Sequence, residues 1–294
     1  MIQDTQWHKS LFQIAWRNLK RYQRFLLASV LTTVLAINFN PAIAEALDWT
    51  DLFRAVPSVI QVMQLSNVSD QDEVQLGRQL DRQLASEVRI SRDPAANALV
   101  RAIGEGLVRN SDRPNLPYTF QVVEDKNINA FATMGGFVYV NTGTIAAADN
   151  RAQLAAVIAH EMGHISGRHA LEQIKQMALA QGVASVAGLD RDQFVQIGVQ
   201  LALRLPNSRE AEFDADRRGL ETIARSGYAP QALPAFLQKL ASKSGNGVPG
   251  FLSTHPGANE RIAALNERIE RENLYGQGGL NDTKYQRNWR NRFR

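Results

Sequence analysis

The chain has 294 residues, of which 44% are hydrophobic and 21% charged, a composition that can bury a sizeable core in one or two domains. It contains no cysteine, which excludes a disulfide framework, a thiolate metal site, a cysteine nucleophile and an acylated N-terminal cysteine anchor. The formal net charge of +4 resides entirely in residues 1–44, so the remainder is neutral and gives no argument for a nucleic-acid partner.

Residues 1–44 read as a targeting segment. Arg17, Lys20, Arg21 and Arg24 form a basic flank, the run from Phe25 to Ile37 is uncharged, and Pro41-Ala42-Ile43-Ala44 offers a small-x-small cleavage site. The run is shorter than the ~20 residues that span a bilayer. The expectation is a signal peptide cleaved after Ala44 and export to the periplasm or cell envelope. The alternative is an uncleaved N-terminal membrane anchor, favoured by the length of the basic flank.

A connector, 45–69, leads to a helical pattern over about 70–88, with Val74, Leu76, Leu80, Leu84 and Val88 on one face. A second helix is predicted over about 95–108, where Asp93 can cap and Pro94 fits the first turn. Strands are predicted at 118–123 and, after Gly135-Gly136, at 137–140. Beyond Asn150 the periodic stretches are helical: 151–178, 190–204, 208–225, 231–243 and 257–272, separated by breakers at Gly188, Pro206-Asn207, Gly227 and 245–250. Asp190, Arg191 and Asp192 interrupt the apolar stretch 178–205, which reads as buried helix rather than membrane span. The expected fold class is α+β, mostly helical, with a small antiparallel sheet packed on the helices. The basic tail 273–294, where Lys284, Arg287, Arg290, Arg292 and Arg294 face only Asp282, is expected to be disordered. Its Tyr285, Trp289 and Phe293 would allow peripheral contact with an anionic membrane surface.

The chemistry centres on His160-Glu161-Met162-Gly163-His164. On a helix capped by Asn150, His160 and His164 share one face and can reach a single ion. Glu161, rotated about 100° around the axis, can reach a water on that ion. Zinc lowers the pKa of bound water to about 7, and a neighbouring carboxylate can move its proton. A catalytic site needs a third protein ligand. The long metalloprotease motif would place a histidine at position 170, which is alanine, and His169 misses by one position, which rotates it well away from the ligand face and suits a supporting or structural role. Carboxylates at Glu210, Glu212 and Asp216, on a helix capped by Ser208, are the other candidates, and chemistry alone does not rank them.

Four motifs occur in order: Asn129-Ala130-Phe131-Ala132 with Gly135-Gly136; the His160–His164 segment with Arg168-His169; Ser208-Arg209 with Glu212 and Ala215-Asp216; and Ser253-Thr254-His255-Pro256 with Arg261. In this the sequence resembles, over about residues 70–272, the zinc metallopeptidase family that includes the HtpX heat-shock proteases, the BepA-like periplasmic proteins and the eukaryotic prenyl-protein peptidases.

The resemblance implies a zincin-like catalytic domain, one zinc ion per chain held by His160, His164 and Glu212, with Glu161 as catalytic base and Asp216 supporting the site. It implies that the edge strand before the His160 helix binds an extended or unfolded polypeptide through Ala132, Thr133, Gly135 and Gly136, consistent with main-chain strand addition. His255, with Arg261 nearby, is expected to be a fourth zinc ligand, an oxyanion donor or a cap on the helix beginning near Gly257. Against some relatives, the expectation from this sequence is a chain without transmembrane helices and without a helical repeat module after the catalytic domain. The expected function is a zinc endopeptidase acting on unfolded or mislocalised envelope proteins. The alternative is a chaperone-like quality-control module with a latent metallopeptidase site.

Overall fold

The computed structural model describes residues 68–180, 191–242, 250–289 and 292–293. The targeting segment, nearly all of the connector and residues 243–249 of the glycine-rich loop lie outside them. In chain order the elements are α1 (Asp70–Glu87), α2 (Pro94–Val108), β1 (Thr119–Val123), β2 (Ala130–Thr133), β3 (Phe137–Asn141), α3 (Thr142–Ala147), α4 (Arg151–Ser166), α5 (His169–Ala180), α6 (Arg191–Leu203), α7 (Arg209–Arg225), α8 (Ala232–Ser242), α9 (Gly250–Thr254), α10 (Ala258–Arg271) and α11 (Thr283–Trp289).

Local chemistry sets the helix starts. The Asp93 carboxylate accepts from the backbone N–H groups of Ala95 and Ala96 with Pro94 in the first turn, Asn150 accepts from Gln153, and Ser208 accepts from Ala211. Each satisfies amides that have no partner inside the helix.

The fold is mostly helical with one small sheet, as expected, but the sheet is mixed rather than antiparallel. Its order is β1-β3-β2, with β1 parallel and β2 antiparallel to β3. Residues 124–129 reverse the chain after β1, the short turn at Met134–Gly136 reverses it again, and β3 slots between its two predecessors instead of adding outside them. Residues 89–91 cover the outer edge of β1, where Ser91 N donates to Val122 O and Glu124 N to Arg89 O. The outer edge of β2 pairs with no other strand among the described residues.

Helix α4 is the centre of the molecule. Every residue from Ala152 to Ile165 is buried, so it has no polar face and no amphipathic stripe. Its small side chains let α7 cross closely. A Cβ at Gly163 would fall 2.5 Å from Ala215 O, and one at Gly219 would fall 3.0 Å from His160 N. This approach brings the carboxylates of α7 to the histidines of α4.

One expectation is corrected. The helix predicted over 151–178 is two helices, broken at Gly167-Arg168, where Arg168 takes a left-handed φ of 55°. Among the described residues of the tail, Tyr285 on α11 is buried and donates its hydroxyl to Ile145 O (2.8 Å), and Arg292 pairs with Asp93. Burial of that aromatic ring outweighs the basic character of the segment. Trp289 and Phe293 are partly buried against the same core. No helix of the described residues is long and apolar enough to cross a membrane.

Candidate metal centre

The structure brings His160, His164, Glu212 and His255 together, each buried and each offering one ligand atom, with those atoms all within 4.8 Å of one another. Nε2 of His160 and Nε2 of His164 are 3.1 Å apart, Glu212 Oε1 is 3.3 Å from His164 Nε2, and Glu212 Oε2 is 3.5 Å from His160 Nε2. Ligand atoms placed 2.0–2.1 Å from a tetrahedral ion sit roughly 3.3–3.4 Å from each other. The three separations, the two to Glu212 ending on different oxygens of its carboxylate, lie close to that spacing.

Proton positions strengthen the fit. His160 Nδ1 lies 2.9 Å from Asp216 Oδ1, an acceptor, and farther, 3.4 Å, from Arg261 Nη2, a donor; the closer contact favours the proton on Nδ1 and the lone pair on Nε2. Burial and Arg261 oppose a second proton on His160, yet Asp216 and Glu212 carry its pKa up to about 9. Burial pushes His164 the other way, below its ordinary value. The cluster therefore calls for one positive charge between the two Nε2 atoms, a proton or a metal ion. Glu212 supplies anionic oxygen: burial favours its neutral acid, but His255, His164 and His160 hold it well below the usual carboxylate range. Asn207 Nδ2 donates to Glu212 Oε1 (2.8 Å) and fixes the carboxylate's rotation. Two buried imidazoles and a buried carboxylate at this spacing fit a divalent metal of the zinc type.

Arg261, fully buried, ties the surroundings together. Its Nε and Nη2 each donate to Asp216 at 2.7 Å, its Nη1 donates to His255 O (3.2 Å), and Nη1 is 2.5 Å from Glu212 Oε2. Asp216 and Glu212 thus each have a cationic neighbour, the condition under which burying charge is tolerable.

Glu161 is almost fully buried. Burial opposes its ionisation, but His255 and the two α4 histidines hold its pKa below the ordinary value, so it is a carboxylate at neutral pH. Its Oε1 lies 3.3 Å from His255 Nε2. His255 is stacked on Phe251, with ring centroids 4.3 Å apart, and its Nδ1 is 3.1 Å from Phe251 O, which leaves Nε2 facing the cluster. It does not cap the following helix: the N-cap of α10 is Gly257, with no side-chain hydrogen bond.

Ala132 and Thr133 on β2 line the cleft together with Glu161, His164, Asn207 and His255. Gly135 and Gly136 do not. They form the turn between β2 and β3 with φ of 76° and 103°, and a Cβ at Gly135 would strike Glu73 O on α1 at 2.6 Å. Their requirement is the turn and the close backbone. Glu210 is exposed in the first turn of α7, so geometry ranks Glu212 and Asp216 above it. Sequence reasoning missed Asn207, which stood as a helix breaker beside Pro206, and Asp214, one charge among several on α7. The buried Glu73 on α1, which pairs with Arg113 at 2.7 Å, was also missed, and only its position on an otherwise apolar face marked it.

A helix carrying two histidines four residues apart with a glutamate between them, crossed by a second helix that delivers a carboxylate, defines a zincin-like metallopeptidase site. The chain belongs to the family described as Peptidase family M48, which matches residues 94–269. It is 27% identical over 265 residues to the beta-barrel assembly-enhancing protease of Escherichia coli (strain K12), covering 85% of this chain and 53% of that protein. It is 36% identical over 145 residues to the mitochondrial metalloendopeptidase OMA1 of Arabidopsis thaliana, 49% of this chain and 30% of that one. A match of 24% over 228 residues links it to the metalloprotease YcaL of Escherichia coli (strain K12), 74% of this chain and 88% of the relative. The chain spans about half the length of the first of these relatives.

Proposed function

We propose that the chain is a zinc-dependent endopeptidase acting on unfolded or mislocalised envelope polypeptides. The observation that carries this reading is the cluster of His160 Nε2, His164 Nε2 and the two Glu212 oxygens, with contacts of 3.1–3.5 Å, and Glu161 beside it. Bound there, zinc would acidify a water to a pKa of about 7 and polarise a peptide carbonyl. Glu161, ionised and one residue along the helix from His160, would serve as the base that accepts a water proton and could return it to a leaving amine. Asp216 holds His160 in the ligating tautomer, and Asn207 with Arg261 holds Glu212 in place.

The unpaired edge of β2 supports the choice of substrate. An extended segment can add to it through main-chain hydrogen bonds beside Ala132 and Thr133, a mode that tolerates many side chains and suits unfolded chains. A second reading, a chaperone-like module with a latent site, is favoured by one contact: His255 Nε2 sits 3.3 Å from Glu161 Oε1, where a water and a carbonyl would have to enter.

The test is degradation of casein by the purified chain, with and without a chelator, beside Glu161→Gln. Cleavage abolished by the chelator and lowered about 10²–10⁴-fold by the substitution supports the endopeptidase. Zinc uptake without cleavage supports the latent module. For location, we propose export with removal of residues 1–44. Mass spectrometry of the envelope fraction should find Glu45 as the N-terminus, and an intact chain there would make the segment an anchor instead.

A further inference from the structure

A neutral imidazole can carry its proton on either nitrogen, and only one tautomer turns a given lone pair to a metal. Asp216 makes that choice for His160. Among the described residues no carboxylate stands beside Nδ1 of His164. That atom faces Nδ1 of His169 at 2.9 Å, so the two nitrogens share one proton. Nε2 of His169 lies 3.2 Å from Oδ2 of Asp214, which accepts only, so His169 carries its own proton there. Nδ1 of His169 is then the acceptor, Nδ1–H of His164 the donor, and Nε2 of His164 is left with its lone pair toward His160 and Glu212.

We propose that His169, backed by Asp214, is a positioning residue that sets the tautomer and ring orientation of the metal ligand His164. The inference rests on the zinc reading above and adds a hydrogen-bonded chain, Asp214–His169–His164, distinct from the direct Asp216–His160 pair.

The backbone is shaped to make this contact. A continuous helix would carry residue 169 off the ligand face. Instead α4 ends at Ser166, Arg168 takes a left-handed φ of 55°, and a new helix begins at His169. A non-glycine residue adopts that conformation only where its surroundings hold it. Arg168 is held by donating to Val68 O (2.8 Å) and by pairing with Asp70 and with Glu73 (3.2 Å). Gly167 leaves room for the returning ring: a Cβ there would fall 2.3 Å from His169 Nε2 and 2.6 Å from its Cε1. Asp214 is itself oriented by Arg217 and Arg218, each at 2.6 Å, on the helix that carries Glu212.

The experiment measures zinc affinity of the full chain by competition with a chromophoric chelator, for wild type, His169→Ala, His169→Leu and His169→Asn. In asparagine, Oδ1 takes the place of Nδ1 and accepts the same proton, whereas leucine restores volume without an acceptor. Affinity is expected to fall about 10–100-fold in the alanine and leucine variants and to stay within a few-fold of wild type in the asparagine variant. Gly167→Ala, which keeps His169 but crowds its ring, should weaken binding in the same direction. Long-range ¹H–¹⁵N spectra of the metal-free wild type should show His164 protonated on Nδ1, a readout independent of how the variants fold. Leucine binding zinc as well as wild type, or His164 protonated on Nε2, overturns the proposal while leaving the zinc site standing. A wild-type chain that takes up no zinc overturns the zinc reading itself.

Discussion

Nδ1 of His160 lies 2.9 Å from Oδ1 of Asp216, and the same carboxylate receives both Nε and Nη2 of Arg261 at 2.7 Å. The pair makes His160 a strong proton site at the same nitrogen, Nε2, that the proposed metal would take. Burial and Arg261 disfavour its second proton, but Asp216 and Glu212 raise its pKa to about 9, above the ordinary 6.5. The sign follows: the charged form is favoured in the fold, so this stabilisation is full below pH 6.5 and is lost as pH rises through 9. Zinc needs that nitrogen deprotonated, so metal and proton compete across the same range. Calorimetric titration of the metal-free protein with zinc at pH 7, in buffers of different ionisation enthalpy, should show release of about one proton. Apparent affinity should rise roughly tenfold per pH unit toward pH 8.5. No proton release at pH 7 would mean that Asp216 does not raise His160.

Arg261 is fully buried between Asp216, Glu212 and the carbonyl of His255. Arg261→Met keeps most of the volume and removes the charge. Two buried carboxylates then lose their counter-ion, a change that costs about 3–5 kcal/mol. Urea unfolding of the metal-free variant should show its midpoint lowered accordingly. A shift under about 1 kcal/mol would show that the carboxylates find other partners or take up protons at little cost.

His255 faces the site with Nε2 3.3 Å from Glu161 Oε1, held by Phe251 stacking and by Arg261 on its carbonyl. An imidazole there competes with the water and with the substrate carbonyl. His255→Ala should raise cleavage of an unfolded protein and leave zinc content nearly unchanged. A fall in kcat with KM little altered would instead make His255 a donor to the transition-state oxyanion.

How far the sequence was readable follows from where each determinant lies. The caps at Asp93, Asn150 and Ser208 are local, and the helix starts they mark were found. The i, i+4 histidines and Glu161 were legible because helix geometry alone puts them side by side. Glu212 could not be told from Glu210 or Asp216 by chemistry, since the choice depends on how Gly163 and Gly219 let α7 cross α4. The break at Gly167-Arg168 carries no proline. Arg168 keeps its left-handed φ through Val68, Asp70 and Glu73, about a hundred residues earlier in the chain. The parallel pairing of β1 with β3 and the seat of Tyr285 against Ile145 are likewise long-range contacts that no local pattern records.

The central claim is that His160, His164 and Glu212 hold one zinc ion. Elemental analysis of the purified chain and of Glu212→Gln tests it directly, because glutamine keeps the shape of the side chain and removes the anionic oxygen. About one zinc per chain in the wild type and loss of most of it in the variant is the predicted result. A wild type without zinc, or a variant that retains full occupancy at unchanged affinity, would contradict it.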